Sequence, residues 1–163
     1  DIMAKSIMTP RTVMKAESDE TTVEDFFNKN LNLRFSRVPL YSGTEDNING
    51  LVLKDEIFKE MALGNGTKKL SELKRDIIII NRDMAIPILF EQLVETRNHM
   101  ALVVDEYGTV SGLVTMEDVI ETLLGLEIMD ESDNVSDLQH QARKNWEARA
   151  KKLGIIENIQ DNQ

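Results

Sequence analysis

A seven-residue block occurs twice in this chain, and the copies differ at the positions that matter for chemistry. Residues 112–118 read G-L-V-T-M-E-D, and residues 50–56 read G-L-V-L-K-D-E. The two glycines lie 62 positions apart, and a strand-like run precedes each at the same offset, over 37–41 and 99–103. Two copies of one unit constrain the chain to a pseudo-symmetric tandem, whose interface is a natural place for a ligand. The second copy carries Thr115 and Asp118 where the first carries Leu53 and Glu56. The copies are therefore expected to share a fold without sharing a site, leaving one competent site per chain.

The pattern predicts a mixed α+β chain with a first unit over 1–64, a second over 65–128, and a tail over 129–163. In the first unit, Val13 and Met14 suit a short strand. Thr21 or Thr22, with Glu24 or Asp25 three residues on, caps a helix whose apolar face is Val23, Phe26, Phe27 and Leu31. A hairpin over 37–53 follows, then a helix over 54–63. In the second unit, the β-branched run 77–80 reads as a strand buried on both faces. Pro87 suits the first turn of a helix carrying Leu89, Leu93 and Arg97. A second hairpin leads to a helix over 116–124 that Gly125 ends. Each unit is thus strand, helix, hairpin, helix, with the two sheets expected to face each other. The tail opens with five acids and no base over 127–137, a solvated linker. Ser136 and Gln139 then start a helix with the stripe Leu138, Ala142, Trp146, Ala150 and Leu153, and the last ten residues look frayed.

Charge and composition exclude several classes. The 163 residues carry a net charge of −10, without the basic footprint of a general nucleic-acid binder. There is no cysteine, hence no disulfide, thiolate metal site or thiol nucleophile. His99 and His140 have no metal-ligand spacing, and no P-loop pattern occurs. An enzyme is not expected. The longest strongly apolar run, 77–80, is far short of the ~20 residues of a membrane helix. The chain opens on Asp1 rather than Met, which suggests a piece of something longer with a membrane segment upstream.

The chemistry concentrates at Thr115 and Asp118. Thr115 stands at the predicted start of a helix, where unpaired N–H groups and the macrodipole favour an anion. Its hydroxyl can donate to a phosphate, and Asp118, one turn on, offers the two acceptor oxygens a ribose diol requires. Thr-x-x-Asp is equally the pattern of a capping box, in which the two side chains satisfy each other's backbone, and the two roles are compatible. Local positive charge for an anion comes from Lys5, Arg11, Lys15 and Arg37. An adenine would need an apolar slot, for which Met14, Val38, Pro39 and Ile78 are candidates.

With the repeats in view, the chain resembles a Bateman module, a tandem pair of cystathionine-β-synthase (CBS) domains. The block 112–118 matches that family's Gly-apolar-apolar-Thr/Ser-x-x-Asp pattern. More narrowly, it is similar to the CorC/HlyC, hemolysin-like group related to the cyclin M magnesium transporters. Residues 7–11 (I-M-T-P-R), 36–41 (S-R-V-P-L-Y), 101–121 with D-E-Y-G at 105–108, and the acids Asp130 and Glu131 carry that likeness. The resemblance implies that Thr115 serves phosphate and Asp118 ribose. It also implies that Thr9 and Arg37 lie beside them across the pseudo-dyad, with Arg11, Val38, Pro39 and Ile78 as further nucleotide contacts. It implies a cytosolic regulatory module binding AMP, ADP or ATP, with Mg²⁺ accompanying a triphosphate. The module would pair into a homodimer below a transmembrane domain of the same protein, with magnesium or cobalt as the cargo. The alternative is a ligand-free module that only dimerises its parent.

Overall fold

The computed structural model describes residues 2–32, 35–127 and 135–153. In chain order the elements are α1 (Ala4–Ile7), β1 (Thr9–Pro10), a 3-10 turn (Arg11–Val13), β2 (Glu17–Ser18) and α2 (Val23–Lys29). Then come β3 (Arg37–Tyr41), β4 (Ile48–Leu53), α3 (Lys54–Ala62), a 3-10 turn (Leu70–Leu73) and β5 (Ile78–Asn81). The chain continues through α4 (Ile86–Thr96), β6 (Met100–Val104), β7 (Val110–Thr115), α5 (Met116–Glu127) and α6 (Val135–Leu153). The chain is mixed α+β, and it divides into two compact units.

One unit is built on the stretch Lys15 to Ile77. Its sheet has the order β2-β3-β4, with β2 parallel and β4 antiparallel to β3. Thr22 caps α2 by accepting the Asp25 N–H at 3.1 Å, as the capping pattern predicts. Val23 and Phe26 on α2 and Ile57 on α3 bury against Val38, Leu40 and Val52 of the sheet. Leu31 does not join them: α2 stops at Lys29, and Leu31 is 66% exposed. The short strand expected at Val13 and Met14 falls instead at Glu17–Ser18, because Arg11–Val13 winds into a 3-10 turn.

The other unit is discontinuous, joining the chain up to Met14 with the stretch Ile78 to Lys152. Its sheet order is β1-β7-β6-β5. The N-terminal segment is stitched in by backbone bonds from Ala4 N–H to Met84 O (2.9 Å) and from Ile86 N–H to Ile2 O (3.0 Å). Ile86, Leu89 and Leu93 of α4 and Val119 of α5 pack on Ala101, Val103 and Val114. Pro87 does sit in the first turn of α4. Arg97 does not continue that helix but ends it in a left-handed conformation, φ 56°.

Three further expectations change. β5 is an edge strand, paired on one side only with β6, so Ile79 turns outward at 59% exposure and the run is not buried on both faces. Gly125 lies inside α5, which continues to Glu127. The strand of the second hairpin is Met100–Val104, as its own pattern reads, so the run that matches 37–41 starts one residue later than the equal repeat offset implies. Arg37 pairs with Leu53, but it is Met100, not His99, that pairs with Thr115. The connecting loop of the second repeat is accordingly one residue shorter. In the tail, α6 already includes Val135, so Ser136 lies within it. Trp146 and Ala150 of the expected stripe are buried. The acidic stretch over 128–134, the Leu138 and Leu153 side chains and residues 154–163 lie outside what is described.

Candidate functional site

Thr115 is the last residue of β7 and the residue before α5, so the hairpin register fixes where the helix begins. Three bonds join it to Asp118. The Thr115 hydroxyl donates to Asp118 Oδ2 at 2.8 Å, the Thr115 N–H reaches the same oxygen at 3.3 Å, and Asp118 N–H donates to Thr115 Oγ1 at 3.3 Å. That is a closed capping box. Met116 N–H is also used, by the His99 carbonyl at 2.9 Å. The expectation of open N–H groups at this tip therefore does not describe these three amides, which are all engaged.

The other carboxylate oxygen is engaged too. Arg149 of α6 places Nη2 on Asp118 Oδ1, and its Nη1 sits 3.0 Å from Glu121 Oε2. Asp118 is 1% exposed. Burial pushes its carboxyl up, to about 8, while the Thr115 hydrogen bond and the Arg149 charge pull it down. Burial prevails because the Asp118 side chain is wholly enclosed, whereas Arg149 keeps 30% of its side chain in solvent and shares its charge with Glu121. The consequence for stability has a definite sign. A carboxyl whose folded value lies above its unfolded value of about 3.9 binds protons preferentially in the fold. Its contribution is complete below about pH 4 and is lost as pH rises through about 8. The melting temperature should therefore fall between pH 5 and pH 8, and Asp118→Asn should flatten that slope; an unchanged slope in the variant would refute the assignment.

Thr9 is in the same unit. It lies on β1 and pairs with Leu113 of β7, two residues before Thr115. It is fully buried, and its Oγ1 has no hydrogen-bond partner. A buried hydroxyl normally has one. Gly112 makes the approach possible: a Cβ there would lie 2.1 Å from the Thr9 carbonyl oxygen. Arg11 follows in the 3-10 turn, and Ile78, half-buried, begins β5. Lys5 is committed to Asp83 at 2.8 Å.

Arg37, Val38 and Pro39 lie on β3, in the other unit. That unit carries the matching positions of the first repeat, and they are filled differently. Arg75 bridges to Leu51 there as Thr9 pairs with Leu113 in the second repeat, and the backbone at Arg75 comes close over Gly50. Glu56 takes the place of Asp118 and is ion-paired with that same Arg75. Leu53 offers no hydroxyl. The close strand approach over the glycine thus recurs in both repeats, while the Thr/Asp pair occurs in one.

The sequence profile of the CBS domain matches residues 70–125. The solved CBS domain of a bacterial CNNM/CorC family Mg²⁺ transporter in complex with ATP is 34% identical. It overlays 76% of this chain and 87% of its own, with a TM-score of 0.70. This chain belongs to the CNNM/CorC family of CBS-domain proteins. A UPF0053 protein of Synechocystis is 35% identical over 95% of this chain and 44% of its own length. The magnesium and cobalt efflux protein CorC of Salmonella typhimurium is 29% identical over 99% of this chain and 55% of its own. The chain thus spans about half the length of these curated relatives. Among the described residues no helix is long and apolar enough to cross a membrane.

Sequence reasoning missed Arg149 and Glu121 in this CBS unit, and Arg75 in the other. A usable signal existed for Arg149. It stands three residues after Trp146 and beside Ala150, so it shares the buried side of α6.

Proposed function

We propose that this CBS pair is a regulatory module that binds an adenine nucleotide on the cytoplasmic side of a membrane transporter. The reading is of a binding module and not of an enzyme. The observation that carries it is the grouping of the Thr115–Asp118 pair with Thr9 in one unit, where Thr9 keeps a buried hydroxyl donor without an acceptor. A phosphate oxygen is the acceptor that Thr9 would serve, and the Asp118 carboxylate is the group for a ribose diol. The ATP carried by the CNNM/CorC relative supports the same ligand class. The shares of Arg37, Arg11, Val38, Pro39 and Ile78 rest on the family resemblance. Magnesium or cobalt as the cargo of the whole protein, an upstream transmembrane domain and homodimerisation rest on the relatives and on that resemblance. Nucleotide would favour one arrangement of the module and bias the attached membrane part through that preference.

Calorimetric titration with AMP, ADP and ATP, each with and without Mg²⁺, tests the reading. At about 100 times the dissociation constant, nucleotide adds ~2.7 kcal/mol of stability. For a chain of this size that is a rise in melting temperature of roughly 5–10 °C. Absence of heat and of any thermal shift with all three nucleotides would leave the ligand-free dimerisation module as the better account.

A further inference from the structure

We propose that helix α6 is a built-in competitor of the nucleotide, with Arg149 holding the Asp118 carboxylate that the ribose would need. The proposal rests on the nucleotide reading above and adds its regulation. Its basis is the occupancy of the carboxylate. Oδ2 of Asp118 accepts from Thr115, Oδ1 accepts from Arg149, and the side chain is closed off from solvent. A ribose diol needs acceptor oxygens it can reach, and in this state Asp118 presents none. Thr115 cannot move to make room, since β7 and α5 fix it. Arg149 can: its long side chain keeps 30% of its surface in solvent, and the helix that carries it is tied to the unit by side chains and not by strand pairing.

Those ties are specific. Trp146 is 3% exposed and Ala150 is buried, giving α6 a short apolar footing. Arg143 donates from Nη1 to the Ser6 carbonyl at 3.1 Å, on the segment that leads into Thr9. Arg149 bridges Asp118 and Glu121. Two arginines therefore tie the helix to the unit, one to the backbone of α1 and one to α5. The bridge to Asp118 is the tie that ligand chemistry can replace. An incoming ribose offers hydroxyl donors in place of the guanidinium. Binding and docking then draw on one carboxylate, and each weakens the other by the same factor. Nucleotide becomes a signal that releases α6, and anything that captures the free α6 raises nucleotide affinity.

Trp146 supplies a direct readout, because it is the single tryptophan in the sequence. Titrating the full chain with ATP should shift its fluorescence to the red as α6 leaves its apolar seat. Arg149→Ala should bind ATP about 5- to 150-fold more tightly than the parent chain, the usual span of such couplings. Binding by Arg149→Ala where the parent binds too weakly to measure would support the proposal equally. ATP binding with unchanged Trp146 emission, or an Arg149→Ala variant that binds no tighter, would overturn it and leave the nucleotide reading intact. Failure of both proteins to bind any adenine nucleotide would overturn the nucleotide reading and this proposal together. The fluorescence titration needs no variant, so wherever the parent binds ATP it decides the question even if Arg149→Ala folds poorly. Where the parent does not bind, Arg149→Gln, which keeps most of the stem, takes the place of a poorly folded Arg149→Ala.

Discussion

A valine in place of Gly112 should cost about 3 kcal/mol or more of folding stability and detach β1 from its sheet. The clash is with backbone. A Cβ at this position would stand 2.1 Å from the Thr9 carbonyl oxygen and 3.0 Å from its carbonyl carbon, with Met8 Sδ at 3.1 Å. Neither Thr9 nor Gly112 can yield separately, because Thr9 is paired with Leu113 and Pro10 with Gly112. The same change at Gly50 meets Lys74 Cγ first, at 2.5 Å, and a lysine stem can swing away, although the Arg75 carbonyl at 2.7 Å remains. Gly50→Val should be the milder of the two. Urea melts of both variants check this; a Gly112→Val protein within about 0.5 kcal/mol of the parent would show that β1 is not held as described. The variant should also lose nucleotide binding, since Thr9 leaves with its strand.

Asp118→Ala should weaken nucleotide binding about 10- to 150-fold, or ~1.5–3 kcal/mol, while Glu56→Ala changes it almost not at all. The two positions are related by the 62-residue repeat, and each carboxylate faces an arginine. They differ in surroundings. Asp118 stands one turn after a threonine and is buried. Glu56 follows Leu53, is longer by a methylene, and pairs with an Arg75 that is itself more than half exposed. Calorimetric titration of the two variants in parallel separates the cases. Equal losses would contradict one competent site per chain.

Much of this architecture was legible in the residues, and particular elements show why. The repeated block placed both hairpins, because Gly-Leu-Val followed by a polar position fixes a strand, its inward face and a helix start together. Thr22 and Pro87 marked helix starts through their own chemistry, and both stand where expected. The errors arise where tertiary context decides. Four consecutive β-branched residues look doubly buried, but β5 lies at the sheet edge, and only topology says so. Gly125 looked like a stop signal, yet Leu126 continues the apolar side of α5. Thr115 and Asp118 were visible as a mutual pair from their spacing, which is that of a capping box, and that box is present. The arginine that closes over Asp118 comes from 31 residues further on; its helix and the buried side of that helix were legible, but no local pattern pairs the two residues.

The discontinuity of one unit has a consequence for how the molecule is born. Lys15 to Ile77 can collapse as soon as it leaves the ribosome, because every strand of its sheet is local. Thr9 has no such option. Its pairing partner Leu113 is translated about 100 residues later, which at typical elongation rates is roughly 5–20 s. During that interval the N-terminal segment must wait unpaired, its apolar Ile2 and Ile7 without a core. The early-folding half therefore matures first, and the half that carries Thr115 and Asp118 is completed by the return of a segment translated before it.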